Sequence, residues 1–195
     1  MAGDGHAVRT AGRSSSLVGG VIDANTKQQV LAKIVKMTKE DAAKTTSEPA
    51  WQTDWDSEYI SNPRLETYAL KIADTDELIG LAAYLIEQNY MAVQIIYMES
   101  HPESNPTIAK KRKYEGIGKI LIAYGIKLSV DAGLYGLVVL EAKTTELEKH
   151  YREHYNALPI AKTTPGAPPR FLIADSSAVE IFTTYLKSEE GPLRE

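Results

Sequence analysis

The sequence predicts an α/β protein with a mixed, mostly antiparallel central sheet flanked by helices. Three apolar segments follow one another over residues 65–99, separated by short polar connections, which is typical of antiparallel strands. Apolar residues then recur at helical spacing over residues 116–132, and a strand–helix–strand–helix order completes the chain. A run of strands followed by alternating strands and helices favours one sheet with both antiparallel and parallel neighbours.

In the first half of the chain, alternating apolar and polar residues over 28–37 predict a strand. Thr38, with Asp41 three residues later, is typical of a helix N-cap and predicts a short helix. Residues 47–62 carry both tryptophans and are predicted as a second short helix or a loop. Further strands are predicted over residues 65–73, 78–88 and 91–99, the first two joined by a polar turn at 74–77.

The second half begins with a polar loop over residues 102–112, which contains a proline. The amphipathic helix over 116–132 is capped by Gly133, and the apolar run 137–142 predicts a strand buried on both faces. The remaining predicted elements are a helix starting at Thr144 or Thr145, a strand over 170–174, and a closing helix over 176–187 capped by Asp175 or Ser176.

Composition limits the classes of function. Residues 1–26 are rich in Gly, Ser and Ala and are predicted as a flexible arm, a candidate contact for a homodimer or a larger assembly; residues 27–195 form a single domain. A net charge of −4 argues against general nucleic-acid binding, and the absence of cysteine excludes disulfides and thiol nucleophiles. The longest apolar run, 78–86, is too short to span a membrane, and no secretory signal is visible, so we expect a cytoplasmic protein.

Residues 113–119, Lys-Tyr-Glu-Gly-Ile-Gly-Lys, carry the strongest functional signal. Two glycines in alternation let a ligand approach the backbone closely, and the helix that starts here presents unpaired N–H groups with the positive end of its dipole. Such a helix start binds phosphate or pyrophosphate groups. A tight turn alone would explain the glycines; the strand before them and the amphipathic helix after them favour the binding interpretation.

From about residue 28 to 187 the chain resembles the GCN5-related N-acetyltransferase superfamily. Lys113, Gly116 and Gly118 match the family motif Arg/Gln-x-x-Gly-x-Gly/Ala, with lysine in the first place. Residues 100–103, Ser-His-Pro-Glu, are similar to a strand-end segment of the family, and 150–153, His-Tyr-Arg-Glu, are similar to its tyrosine-bearing helix. The chain departs from the family at Thr144, where Asn is common, and at residues 155–156, where Gly-Phe is usual.

The resemblance implies the superfamily's acyltransferase fold, acetyl-CoA as co-substrate without a metal, and transfer of an acetyl group to an amine acceptor. The pyrophosphate of coenzyme A would lie on the amides that open the helix, and the neighbouring basic residues would offset the charge of its phosphates. The predicted cofactor-binding residues are Arg112, Lys113, Glu115, Gly116, Ile117, Gly118, Lys119 and Thr144. A solvated basic loop is the alternative for the lysines of residues 110–113.

The resemblance also implies the catalytic residues. Tyr151 stands at the position of the family's usual catalytic tyrosine, where it would protonate the leaving thiolate; Tyr155, one turn later, is the substitute. Packing at a core position of the helix is the alternative for Tyr151. Glu99 and His101, at the end of the third strand, are the candidate bases, and strand parity places them on one face unless a bulge intervenes.

Asp54, Trp55 and Glu58 are predicted to bind the acceptor, because carboxylates beside aromatic rings suit a cationic amine. The alternative is an amphipathic helix that buries Trp51, Trp55 and Tyr59 and leaves its acids in water.

Two alternatives to an acetyltransferase remain open. One is a catalytically silent protein of the same fold that acts as a binding or structural component of a larger assembly. The other is a zinc hydrolase, because residues 150–154 spell His-x-x-Glu-His and two histidines four apart on a helix can bind zinc.

Overall fold

The computed structural model describes residues 18–186, and residues 1–17 and 187–195 lie outside it. The strands are β1 (Val18–Asp23), β2 (Gln29–Lys36), β3 (Leu65–Ile72), β4 (Leu78–Glu87), β5 (Ala92–Ser100), β6 (Tyr114–Glu115), β7 (Val138–Glu141), β8 (Leu158–Ile160) and β9 (Arg170–Ile173). The helices are α1 (Lys39–Lys44), α2 (Ile117–Asp131), α3 (Thr145–Tyr155) and α4 (Asp175–Tyr185).

All nine strands belong to one sheet, in the order β6-β1-β2-β3-β4-β5-β7-β9-β8. Every neighbouring pair is antiparallel except β5 and β7, which are parallel and joined through α2. The predicted mixed, mostly antiparallel sheet flanked by helices is therefore confirmed.

The two faces of the sheet bury different clusters. On one face, α2 and α4 pack together and share a large apolar cluster with buried residues of α3 such as Tyr151 and Tyr155. On the other face, a smaller cluster joins Trp51, Trp55 and Ile60 of the loop after α1 to apolar residues of β3 and β4. This segment makes turns, so of the two predicted forms it is a loop and not a helix. Of the three aromatic residues in the amphipathic-helix alternative, Trp51 and Trp55 are buried and Tyr59 is 60% exposed.

The observed N-cap residues match the predicted ones for α1 and α3 and differ for α4. Thr38 caps α1 in a reciprocal capping box with Asp41, as predicted. Thr144 caps α3, its hydroxyl accepting the Leu147 N–H at 3.3 Å. The N-cap of α4 is Ala174 without a side-chain cap, so the predicted cap at Asp175 or Ser176 is wrong.

The predicted arm is wrong for residues 18–26. Val18–Asp23 is a strand of the sheet that runs antiparallel to β2, and a turn joins them, with the Lys27 N–H donating to the Asp23 carbonyl at 2.9 Å. Two further short strands were not predicted: β6 has two residues and β8 contains Pro159, so neither has enough alternation to be recognised. The rest of the predicted arm, residues 1–17, lies outside the described residues.

Across residues 18–186, none of the helices has the length and apolar character that crossing a bilayer requires.

Candidate functional site

The parallel strands β5 and β7 pair over a short distance and then separate. Val93 is paired with Val138 and Gln94 with Val139, whereas β5 continues to Ser100 without further pairing to β7. A register shift against β4 falls at Ile96, because Ala83 is opposite Tyr97 and Tyr84 is opposite Ile95. Such a bulge bends a strand and increases its twist. The carboxyl-terminal halves of the two strands thus leave a V-shaped opening, with backbone groups available to a ligand.

The amino terminus of α2 lies beside this opening. Gly116 is its N-cap, and the first helical hydrogen bond runs from the Ile120 N–H to the Gly116 carbonyl at 3.2 Å. The N–H groups of residues 116–119 are therefore the ones that helix geometry leaves unpaired. We refer to these four amides as the amide cradle. They can accept an anion along the helix dipole.

Glu115 lies in the short strand β6, just before the amide cradle. Glu115 is opposite Ile22 in the pair of β6 with β1, Tyr114 is opposite Asp23, and two positions from Glu115 the Ala24 N–H donates to the Lys113 carbonyl at 2.9 Å. Because bonded and non-bonded pairs alternate in an antiparallel ladder, the Glu115 N–H points towards β1. This direction favours a hydrogen bond inside the sheet, and the predicted contact of the Glu115 amide with the cofactor stays a prediction.

Glycine serves a different purpose at each of the two motif positions. Gly116 has φ = 95°, a left-handed backbone that side chains disfavour. Gly118 is helical, and a Cβ there would meet only Met98 Cε, at 3.9 Å. Since Met98 is in the separated half of β5, Gly118 faces the opening, and its missing side chain keeps the amide cradle accessible.

The basic loop before α2 is anchored by an acid from the turn before β4. Lys113 Nζ lies 2.7 Å from Glu77 Oε1, and the Tyr114 hydroxyl donates to Glu77 Oε2 at 3.2 Å. The hydrogen bond to Glu77 raises the pKa of Lys113. Arg112 lies 3.8 Å from Glu115 and is half exposed. Lys113 thus fixes the position of the loop, and a phosphate contact from either residue stays a prediction.

Tyr151 is placed on the inner side of α3. It is 5% exposed, and its ring packs edge-on against Phe171 of β9, with the ring centroids 6.0 Å apart. Burial raises the pKa of Tyr151 to about 12, so the hydroxyl is protonated at neutral pH. A pKa this high also makes the phenol a weaker acid than an ordinary tyrosine, and the role of Tyr151 as the acid stays a prediction.

The side chain of Lys119, in the first turn of α2, extends towards α3 and α4. Burial, the neighbouring His154 and the Lys119 ammonium together lower the pKa of His150, which places Lys119 close to α3. Lys119 Nζ also lies 5.3 Å from the ring centroid of Tyr185 in α4. Burial raises the pKa of Tyr155, the substitute acid, even further than that of Tyr151. The helix of the predicted acid and the helix of the amide cradle contribute to the same apolar cluster.

Glu99 connects β5 to the loop after α1. Its carboxylate accepts the Gln52 N–H at 2.6 Å, the Thr53 N–H at 3.1 Å and the indole N–H of Trp55 at 3.1 Å, and the residue is 7% exposed. These three hydrogen bonds hold the loop against the sheet. Glu99 therefore has a structural task, and its role as a base stays a prediction.

His101 lies on the same side as Glu99, as strand parity predicts. Its Nδ1 accepts the Glu103 N–H at 3.2 Å, and its ring packs edge-on against Trp51, with the ring centroids 5.7 Å apart. Burial lowers the pKa of His101 despite the carboxylates of Glu103 and Glu77. A neutral imidazole at pH 7 is able to accept a proton, so His101 is the better placed of the two candidate bases.

Comparisons with known proteins identify the fold. No family model matches the sequence, and no curated protein matches it. Among solved structures, the aminoglycoside acetyltransferase AAC(6′)-Ib in complex with coenzyme A and kanamycin has a TM-score of 0.52 at 14% identity, covering 76% of this chain and 97% of that one. The complex of AAC(6′)-Ib with paromomycin and acetyl-CoA has the same TM-score at 16% identity, covering 76% and 96%. An uncharacterised protein from Bacillus halodurans has a TM-score of 0.56 at 8% identity, covering 85% and 94%.

This chain has the fold of the GCN5-related N-acetyltransferase superfamily. In this acetyltransferase fold, the predicted acceptor residues are divided between the core and the surface. Trp55 is fully buried with its indole N–H on Glu99, so it supports the loop and is out of reach of a ligand. Asp54 and Glu58 are exposed, and Asp54 Oδ1 accepts the Asp56 N–H at 3.1 Å. Contact of these two carboxylates with an acceptor stays a prediction.

Two residues at the opening were missed from the sequence. Tyr97 lies in the separated half of β5, and Lys143, just after β7, places its Nζ 4.6 Å from the Tyr97 ring centroid. Only strand pairing brings the two together, since neither belongs to a recognisable motif.

For the zinc alternative, His150 and His154 lie side by side, with ring centroids 4.5 Å apart. In the part of the chain that the structure describes, no group of three His, Cys, Asp or Glu residues could hold a metal ion.

Gly80→Ala is expected to weaken folding and to displace the amide cradle. A Cβ at Gly80 in β4 would lie 2.7 Å from Ile117 Cγ2, in the first turn of α2, so the helix start would have to move. Overpacking of this kind costs about 1–3 kcal/mol. Urea unfolding measures the loss, and a thermal shift with acetyl-CoA reports the displaced amide cradle. Gly133→Ala is the control, because a Cβ there meets nothing within 4 Å, although φ = 73° adds backbone strain. An unchanged Gly80→Ala protein would contradict the close packing of α2 on β4.

Proposed function

We propose that this protein is an N-acetyltransferase that moves an acetyl group from acetyl-CoA to a primary amine. The observation that carries the proposal is the V-shaped opening between β5 and β7 together with the amide cradle beside it. An extended pantetheine chain would hydrogen-bond to the free edge of the opening, and the pyrophosphate would lie on the cradle. The complexes of AAC(6′)-Ib with coenzyme A on the same fold support this placement.

The chemistry needs positioning and two proton transfers. The neutral amine nitrogen attacks the thioester carbonyl carbon, a C–N bond forms, and the C–S bond breaks as the thiolate leaves. Tyr151, which burial keeps protonated, donates its proton to the thiolate sulfur. The proton of the amine passes to His101 or Glu99, directly or through water.

The proposal is tested by an acetyl-transfer screen against amines and peptides that reads the release of free thiol. Acetyl-CoA should also raise the melting temperature, since a ligand that binds only the native state stabilises it. Thiol release that depends on an added amine would support the proposal. A protein that gives neither a thermal shift nor thiol release would refute it.

Tyr151→Phe is expected to lower kcat about 10²-fold or more and to leave acetyl-CoA binding unchanged. Removal of the hydroxyl removes the proton donor and keeps the packing of the ring on Phe171. Because the pKa of Tyr151 is raised to about 12, the wild-type enzyme should not lose kcat between pH 8 and pH 10 through this group. The pH profile of kcat and a thermal shift measure both effects. Tyr185→Phe is the matched control, and a Tyr151→Phe enzyme with normal kcat would remove the acid role.

A catalytically silent binding protein is the second candidate. It is favoured by Glu99, because the three hydrogen bonds of its carboxylate already serve the fold. Thermal stabilisation by acetyl-CoA without turnover of any amine in the screen would support this candidate over the enzyme.

A further inference from the structure

A groove of about 380 Å³ opens beside β7 and the start of α3. One wall is the end of β7 with the first residues of α3, and the other is the loop between β8 and β9. The Ala142 N–H donates to the Pro169 carbonyl at 2.9 Å and ties these two walls together. The groove thus lies at the carboxyl end of β7, beside the loop that leads into the neighbouring strand β9.

Positive charge predominates in the groove. Lys143 and Lys162 line it together with the single acid Glu148, and Thr144 and Thr145 add hydroxyl groups. Within residues 18–186, neither lysine has a carboxylate within 4.0 Å. These ammonium groups are therefore available to an anionic ligand.

A second observation concerns Arg170, which directly follows the wall residue Pro169. Its Nε is buried and has no hydrogen-bond partner among the described residues. Its opposite residue in β7 is Glu141, yet no ion pair joins the two side chains. A buried donor without a partner costs free energy, and Arg170 adds a positive charge next to the wall residue Pro169.

Lys143 connects the groove to the opening. Its side chain lines the groove, and its ammonium lies on the Tyr97 ring in the separated half of β5. A cationic group of a substrate cannot use that aromatic face, because the lysine already occupies it. Repulsion from Lys143 also disfavours a polycationic acceptor at this end of the site.

We propose that the groove binds the carboxylate of the acceptor, so that the substrate class is an amine that also carries a carboxylate, as in an amino acid or a peptide. The proposal rests on the proposed acetyltransferase function. The ammonium groups of Lys143 and Lys162 bind the carboxylate, and the amine of the same molecule extends into the opening towards the thioester. The carboxylate is unchanged in the reaction, in which the C–N bond forms, the C–S bond breaks and the thiol takes up a proton.

The experiment compares two matched mixtures by NMR in the presence of coenzyme A, which gives the dead-end complex with product. One mixture holds N-acetylated amino acids, and the other holds the corresponding N-acetylated amino-acid amides. We expect the acids, and not the amides, to shift the amide resonances of Lys143, Thr144 and Gly166. Equal shifts with both mixtures, or none with either, would overturn the proposal.

Variants separate the groove from the cofactor site. Lys143→Gln with Lys162→Gln should weaken binding of the acids about tenfold or more, since a hydrogen bond to a charged group contributes about 1.5–3 kcal/mol. Lys149→Gln is the control, as this exposed lysine of α3 pairs with Glu153 at 3.9 Å. If the double variant loses the thermal shift with acetyl-CoA instead, the groove binds phosphates of the cofactor, and the proposal is wrong. If acetyl-CoA does not raise the melting temperature of the wild-type protein, the proposed acetyltransferase function itself is refuted.

Discussion

Gly118→Trp is expected to abolish the stabilisation of this protein by acetyl-CoA. Gly118 is the second residue of α2, and its missing side chain leaves the space between the amide cradle and Met98 free. An indole there would cover the amides on which the pyrophosphate is proposed to lie. Because the cradle is the main anion site of the proposal, its loss should be larger than the effect of any single basic residue.

The size of the effect follows from linkage. At a concentration of acetyl-CoA 100 times Kd, the wild-type protein gains about 2.7 kcal/mol. For a chain of this length, that gain corresponds to a rise of about 5–10 °C in Tm. Gly118→Trp should give no rise, and equilibrium dialysis should detect no bound acetyl-CoA at the same concentration.

Gly118→Ala is the matched control. A Cβ would make only an ordinary contact with Met98 Cε at 3.9 Å, so this variant should fold and retain most of its thermal shift. Circular dichroism shows whether Gly118→Trp is folded. A folded Gly118→Trp protein with a full thermal shift would mean that the cofactor does not bind at this helix start.

Glu99→Leu is expected to destabilise the protein by about 3–5 kcal/mol, because it leaves three buried or half-buried N–H donors without their acceptor. The loop that carries Trp51 and Trp55 would lose its connection to β5, so tryptophan fluorescence should report the unfolding directly. Urea unfolding followed by fluorescence gives the free energy. Glu58→Gln, an exposed carboxylate in the same loop, should change stability by less than about 0.5 kcal/mol.

The conservative change Glu99→Gln separates structure from catalysis. An amide keeps one acceptor oxygen but presents an NH₂ group to the remaining donors, so a structural role predicts a loss of about 1–3 kcal/mol with little change in kcat. A catalytic base predicts the reverse, with nearly normal stability and a large fall in kcat. Rescue of kcat at higher pH, where more of the amine is neutral, would further support a base at Glu99.

Much of the fold could be predicted from the sequence, because the relevant signals are local. The alternation over β2, the capping box of Thr38 with Asp41 and the helical spacing of α2 each lie within one element. Strand β1 was missed because Gly19 and Gly20 weaken its pattern. In the structure, a Cβ at Gly19 would lie 3.0 Å from both the Tyr185 carbonyl oxygen and the Ile120 side chain, so close packing favours glycine there.

The parts of the site that depend on a local sequence motif could be predicted, whereas the parts formed by residues far apart in the sequence could not. The glycine pattern at Gly116 and Gly118 correctly placed a helix start beside a strand end. The bulge at Ile96, which opens the sheet, has no sequence signature, since it depends on how β4 and β5 pair. The same holds for Glu99, because its three partners are 44 to 47 residues away along the chain.

The short pairing of β5 with β7 has a mechanical consequence. Only two residue pairs between β5 and β7 connect the two parts of the sheet, which are the strands from β6 to β5 and the group β7, β9 and β8. The packing of α2 on β4, β5 and β7 therefore holds these two parts together. An extended ligand bound between the separated strand ends would form the backbone hydrogen bonds that the two strands do not make with each other. Ligand binding in the V-shaped opening would therefore make the connection between β5 and β7 more rigid. Hydrogen exchange of the Val138 and Val139 amides should slow when the ligand is bound.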